Sequence, residues 1–295
     1  MWLRKSTTAC ALVVGAVLVS LACSDDSNSP SSTESLNAAQ AAALGEEVAI
    51  DVAEMIEASD FDPATGMGLL RGAAFMGGPP GSCTVDITPT APANSDSDAV
   101  PDSVRFDYTT CVFTRGAMTH TLSGTIDVLD PTPTTTDLAV RMVFTSFLRS
   151  LFNSVTDKTV SALMDGERLI VLTSDSLTHT VTDFQTDYTF ANGVTATHLK
   201  NWVGKFYADV PGAIVLGSPL PAGLFTLNGT SDWVRDGKTW DVVTATSIPL
   251  HFDPACTALP PFDAGKLTQT VTRGDLVTTI EIEFTNCGVY TVTRS

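Results

Sequence analysis

Oxygen-bearing side chains recur at odd positions in the stretch NSDSDAVPDS, where Asn94, Asp96, Asp98 and Asp102 stand at positions 1, 3, 5 and 9. Carboxylates and an amide at that spacing converge on one hard cation when the loop wraps around it, with a backbone carbonyl completing the shell, so calcium is the expected ligand. The other reading of the same residues is a solvated acidic turn ahead of a strand. If an ion binds, its expected role is to brace the chain between Cys83 and Cys111 rather than to take part in catalysis.

This loop resembles the Asp-rich calcium loop of thrombospondin type 3 repeats. It departs from that pattern at Ala99, which stands where Gly is usual, and Arg105 replaces the bidentate Glu of an EF-hand. The resemblance implies a calcium ligand set of Asn94, Asp96, Asp98 and Asp102.

The other residues with chemical potential are six cysteines, four histidines and a group of tryptophans. Cys10 lies in an N-terminal apolar run and Cys23 ends it; in an exported, oxidising setting the remaining four suggest two disulfides. Cys83 with Cys111 and Cys256 with Cys287 is the preferred pairing, since each pair opens on Cys-Thr and closes on a strand followed by Cys. Metal binding is disfavoured because the chain has no Cys-x-x-Cys and no nearby His pair. Of His120, His179, His198 and His251, the first three lie in Thr-flanked strand contexts and are expected on the solvent face of a sheet; a histidine cluster across neighbouring strands is the alternative. Trp202, Trp233 and Trp240 are expected to pack in a core or at a sheet edge, the alternative being a sugar-stacking platform. The sequence has no Gly-x-Ser-x-Gly elbow, no His-Glu-x-x-His, no phosphate loop and no dinucleotide fingerprint, so no catalytic residue is assigned.

The elements that must position these residues are mostly strands. About one residue in seven is Thr, and beyond Cys83 the composition favours β structure. Arg115-Gly116, Asp165-Gly166, Asn192-Gly193, Asp236-Gly237 and Arg273-Gly274 each separate two strand-like runs, and the Asx-Gly pairs suit tight hairpins. Period-two alternation in SVRFDYTTC sets Val104, Phe106 and Tyr108 on one face and Arg105, Asp107 and Thr109 on the other. Similar runs span 118–129, 168–190, 194–207, 224–235, 238–252 and 275–293. LAVRMVFTSFLRSLFNS fits a helix through Val140, Val143, Phe144, Phe147, Leu148 and Leu151, and a strand through Leu138, Val140, Met142 and Phe144. Its Thr-rich flanks select strand. Residues 121–127 (TLSGTID) echo 226–232 (TLNGTSD), a hint of internal duplication that chance matches would also produce.

From Leu36 to Ala58, Leu44, Val48, Val52, Met55 and Ile56 recur at helical spacing while Glu47, Asp51 and Glu54 take the other side. The expectation is one amphipathic helix that packs on the following sheet, despite about 1 kcal/mol lost at Gly45. The whole reads as a mainly β chain: a large antiparallel meander, sandwich or curled half-barrel, with one N-terminal amphipathic helix. Its expected divisions are a signal at 1–22, a tether at 23–35, the helix and a Gly-rich connection at 36–82, and the β domain at 83–295.

The N-terminus combines Arg4 and Lys5, an apolar stretch from Ala9 to Leu21 and small Ala22 ahead of Cys23. Val19, Ser20, Leu21, Ala22 and Cys23 resemble the end of a bacterial lipoprotein signal. That resemblance implies cleavage before Cys23, lipidation of Cys23 and a cell-envelope location; Ser24, rather than Asp, implies the outer membrane. An ordinary cleaved signal with an incidental cysteine is the alternative. With 33 acidic against 16 basic residues and a formal charge of −17, binding to nucleic acid is not expected. The expected function is a non-catalytic binding or structural module of the envelope, attached to the membrane by its lipid and meeting a protein, glycan or lipid ligand. A carrier of a hydrophobic ligand and a hydrolase whose acidic residues converge only in space are the alternatives.

Overall fold

The computed structural model describes residues 35–59, 82–98, 100–115, 118–154, 157–173, 175–215, 218–256, 258 and 260–295. The signal-like run, Cys23, nearly all of the tether and the Gly-rich connection lie outside the described residues.

Twelve strands follow the helix, each hydrogen-bonded antiparallel to its neighbour in sequence, so sheet order equals chain order. They are β1 (Ser82–Thr88), β2 (Ser103–Arg115), β3 (Met118–Leu129), β4 (Ala139–Asn153), β5 (Lys158–Leu172), β6 (Ser176–Thr189), β7 (Thr195–Ala208), β8 (Gly223–Arg235), β9 (Lys238–Phe252), β10 (Phe262–Arg273), β11 (Leu276–Asn286) and β12 (Val289–Arg294). Neither edge strand pairs with the other, so the meander is not closed into a barrel.

Alternation sets which residues face inward. Val104, Phe106 and Tyr108 are buried on β2 while Arg105, Asp107 and Thr109 face water. At Asp236-Gly237 both φ angles are positive, 53° and 69°, as a two-residue turn matched to the strand twist requires. The ambiguous stretch is strand β4, and its helix-like spacing has a local cause. A bulge between Phe144 and Phe147 inserts extra residues, so these two buried rings are three positions apart and still share the inner face.

Three sequence-level expectations are corrected. Asp165-Gly166 is no turn: it lies inside β5, where Gly166 takes a φ of 131° and a Cβ would stand 2.7 Å from the Phe184 Cα. The run 168–190 holds the end of β5 and all of β6, and the run 275–293 holds β11 and most of β12. The echo at 121–127 and 226–232 marks a shared steric need: at Gly124 and Gly229 a Cβ would strike the backbone oxygen of Ser146 at 2.3 Å and of Asn201 at 2.2 Å.

The helix α1 (Ala38–Ser59) opens on a reciprocal cap: Gln40 N–H donates to Asn37 Oδ1 at 2.9 Å and Asn37 N–H to Gln40 Oε1 at 3.1 Å. At Gly45 a Cβ would meet Val292 Cγ1 of β12 at 2.7 Å, so the helix cost of glycine is exchanged for close approach to the sheet. At its other side α1 reaches Arg149 of β4 through Glu54. In a flat sheet β4 and β12 would stand roughly 38 Å apart at ~4.8 Å per strand, far more than one helix can bridge. The sheet therefore curls around α1. Mid-strand bulges on the pairs from β2–β3 to β6–β7 supply the bend.

This geometry covers most of α1 except a stripe through Ala38, Ala42, Glu46 and Ile50, and Val48, Val52, Met55 and Ile56 pack with Phe184, Trp202, Phe206, Phe225 and the rest of one continuous core. Among the described residues no helix is long and apolar enough to cross a membrane.

Candidate functional site

Glu47, Asp51 and Glu54 recur at helical spacing and form one stripe of α1. They do not face solvent as the helical pattern suggests: their exposures are 1%, 2% and 7%. The reason is the wrap of the sheet, which presents a polar counter-stripe from β4 to β8.

Asp51 is the centre of this stripe. Its Oδ1 accepts from Lys200 Nζ at 2.6 Å and from the Tyr188 hydroxyl at 2.7 Å, and its Oδ2 meets His198 Nδ1 at 2.8 Å. Burial pushes the Asp51 carboxyl up, but Lys200 and His198 outweigh it and hold the group well below the usual carboxylate range. Tyr188 is driven well above its ordinary value by burial and by the neighbouring carboxylates, so its proton stays in place to donate. Lys200 also donates to Thr186 Oγ1 at 2.9 Å.

Glu47 accepts from Arg235 Nη1 at 2.6 Å and from the Trp233 indole at 2.8 Å, with His198 Nε2 at 3.3 Å. Burial raises its pKa against the pull of His198, Trp233 and Arg235. Glu54 meets Arg149 Nη1 at 3.2 Å and Arg168 Nη2 at 3.7 Å. Arg168 lies 4.3 Å from the Phe184 ring centroid, a cation–π contact that partly replaces lost hydration. His179 Nδ1–H donates to the Met55 carbonyl at 3.0 Å, and burial followed by the charge of Arg168 lowers its pKa to about 3, so it is neutral at pH 7.

The interior places three helix carboxylates against Arg149, Arg168, Lys200 and Arg235, with His198 between two of them. In this Asp–His–Lys grouping His198 is 0% and Lys200 2% exposed, and both tie β7 to Asp51 of α1. His120, His179 and His198 are corrected from solvent-facing to buried, because each is in phase with inward apolar neighbours such as Leu122, Val181 and Trp202. They do not cluster with one another: His179 sits by Met55 and His198 by Asp51. His251 alone is half-exposed, with Nδ1 2.7 Å from Asp263 Oδ1. Trp202, Trp233 and Trp240 are fully buried, which rules out a stacking platform at the surface.

The acidic loop after β1 is rearranged relative to its sequence pattern. Asn94 Oδ1 accepts from Ser97 N–H at 2.7 Å, and Asp102 accepts from the Ser95 N–H at 2.8 Å and hydroxyl at 2.6 Å, so both are used within the loop. Asp96 and Asp98 turn instead toward Asp130, which follows β3. One carboxylate oxygen from each of the three lies within 4.8 Å of the others. Sequence reasoning missed Asp130 because it lies far along the chain from the loop.

Cys256 and Cys287 are disulfide-bonded, with Cα atoms 5.4 Å apart, and tie the chain before β10 to the turn after β11. The register of β1 on β2 sets Cys83 opposite Cys111, and Cys111 is disulfide-bonded; the side chain of Cys83 lies outside the described residues. A cavity of about 200 Å³ lies beside α1, lined by Glu46, Ile50, Ala53, Arg149, Pro260 and Tyr290 among others. No protein-family model matches the chain, and neither a curated protein nor a solved structure matches it.

Proposed function

We propose that the chain is a cell-envelope protein attached through lipid on Cys23, in which the curled sheet acts as a non-catalytic binding or structural module. The observation that supports this reading is the closed interior: Glu47, Asp51, His198 and Lys200, the groups whose chemistry would suit a catalyst, lie against one another beneath α1 at 0–2% exposure. Carboxylates thus converge in space, as a hydrolase would need, but in a place a substrate does not reach. The anchor rests on the resemblance of residues 19–23 to a lipoprotein signal, and an outer-membrane location follows from Ser24 by the same resemblance.

Expression of the chain in a bacterium fed a labelled fatty acid tests the anchor. Label should enter the wild-type chain and be absent from Cys23→Ala; label in both, or in neither, would overturn it. The carrier reading has one observation in its favour, the cavity of about 200 Å³ beside α1. It is smaller than the roughly 300 Å³ at which small-molecule pockets begin, and the larger recess of about 680 Å³ beside Val85, Ile87 and Thr90 at the β1 edge is open and shallow. Native mass spectrometry of the Cys23→Ala chain with added phospholipid distinguishes the two: a lipid-sized adduct selects the carrier, and a bare mass the scaffold.

A further inference from the structure

We propose that Asp96, Asp98 and Asp130 form a binding site for a hard divalent cation, calcium by preference, that ties the β1–β2 loop to the chain leaving β3. The three side chains are held in the same way. Asp96 Oδ1 accepts from Asp98 N–H at 3.2 Å, Asp98 Oδ1 from Val100 N–H at 2.6 Å, and Asp130 Oδ1 from Thr132 N–H at 2.7 Å. Each bond runs to the amide two residues on and fixes the carboxylate plane. In every case the other oxygen, Oδ2, is buried and has no hydrogen-bond partner.

Asp130 provides the observation independent of the clustering. It is 6% exposed, yet its Oδ2 is an orphaned acceptor, and one of its carboxylate oxygens lies within 4.8 Å of those of Asp96 and Asp98. A buried carboxylate oxygen without a donor is costly, and three carboxylates close together add repulsion. A single cation removes both penalties. An all-oxygen ligand set of three carboxylates with loop backbone and water suits calcium, whereas magnesium demands stricter octahedral geometry.

The two loops already touch, since Asp130 N–H donates to the Asp102 carbonyl at 3.3 Å. The ion adds a cross-link between segments far apart in sequence. This site differs from the one implied by residue spacing, because Asn94 and Asp102 position the loop and Asp130 replaces them as ligand.

The test is calcium titration of the purified full chain in mild detergent, read by calorimetry and by the thermal midpoint before and after chelation. Binding at one equivalent and a midpoint raised by calcium are expected. Asp130→Asn and Asp96→Asn, which can keep the bond to the backbone amide, should each weaken binding by about tenfold or more, since affinity follows ligand charge. Asp102→Asn should leave it within about threefold. Circular dichroism on each variant checks folding. No heat and no midpoint shift at millimolar calcium would overturn the proposal, and so would loss in Asp102→Asn with Asp130→Asn unaffected; tighter binding of magnesium would overturn the preference for calcium.

Discussion

Among the described residues, two groups of acids are treated in opposite ways, one buried under α1 and one half-buried at a loop with only Asp130 fully covered. Under α1, Glu47, Asp51 and Glu54 each face a cation from the sheet, although Glu54 Oε2 has no hydrogen-bond donor and only the Arg168 charge 3.7 Å away. At the loop cluster, Asp96, Asp98 and Asp130 meet one another, and one oxygen of each has no donor. The first group is neutralised by the chain itself, so its effect is spent on fixing the helix. The second leaves net negative charge that only something from outside can neutralise. Burial of a carboxylate is therefore no guide to role until its partners have been counted.

The largest expected effect comes from breaking the self-neutralised side. Asp51→Ala leaves Lys200, His198 and the Tyr188 hydroxyl facing a void, and should destabilise the fold by about 3–5 kcal/mol in urea unfolding. Asp96→Ala, in chelator, should cost far less; equal losses would erase the contrast.

A second test uses pH. His179 has its folded pKa lowered to about 3, so the unfolded chain binds a proton that the folded chain refuses. Its contribution is fully present above the ordinary value of about 6.5 and is lost as pH falls from there toward 3, with a slope of up to ~1.4 kcal/mol per pH unit. Asp51, with its pKa depressed, adds a loss that begins only below about 4. His179→Asn should flatten the stability profile between pH 6.5 and 4; an unchanged slope would place the titration elsewhere.

Tyr188→Phe removes one donor from Asp51 while Lys200 and His198 remain, and should cost about 1–2 kcal/mol. The smallest effect has the opposite sign. Asp98→Asn in calcium-free buffer relieves repulsion while its Oδ1 still accepts from Val100, so stability should rise, by no more than ~0.5 kcal/mol given partial exposure. Destabilisation there would mean that the cluster is already balanced.

Much of this contrast has a trace in the sequence. In THLKNWVGKFY, strict alternation puts His198 and Lys200 on the same face as Trp202 and Phe206, and all four are buried. Strand phase was thus a better guide to His198 than the Thr-rich surroundings, which suggest a solvent face. Similarly, Arg235 is in phase with Trp233 on β8. The Glu47, Asp51 and Glu54 stripe was visible as a stripe, but amphipathic logic assigned it to water because it assumes a helix with one covered side. The curl of the sheet, produced by bulges that have no clear sequence signature, covers the second side as well.

Sequence alone determined the strand-rich class, the inner and outer faces of strands such as β2 and the place of α1, and it favoured the pairing of Cys256 with Cys287 that the structure shows. These are local or near-local matters, set by periods of 2 and 3.6 residues and by a short loop between cysteines. Only the tertiary structure decided that α1 is enclosed, that its acids meet cations from β4 to β8, and that Asp130 rather than Asn94 or Asp102 completes the loop cluster. Each of those outcomes joins residues distant in the chain, and their contact depends on how far a twelve-stranded sheet bends, a sum of small angles at many bulges that no single stretch of sequence encodes.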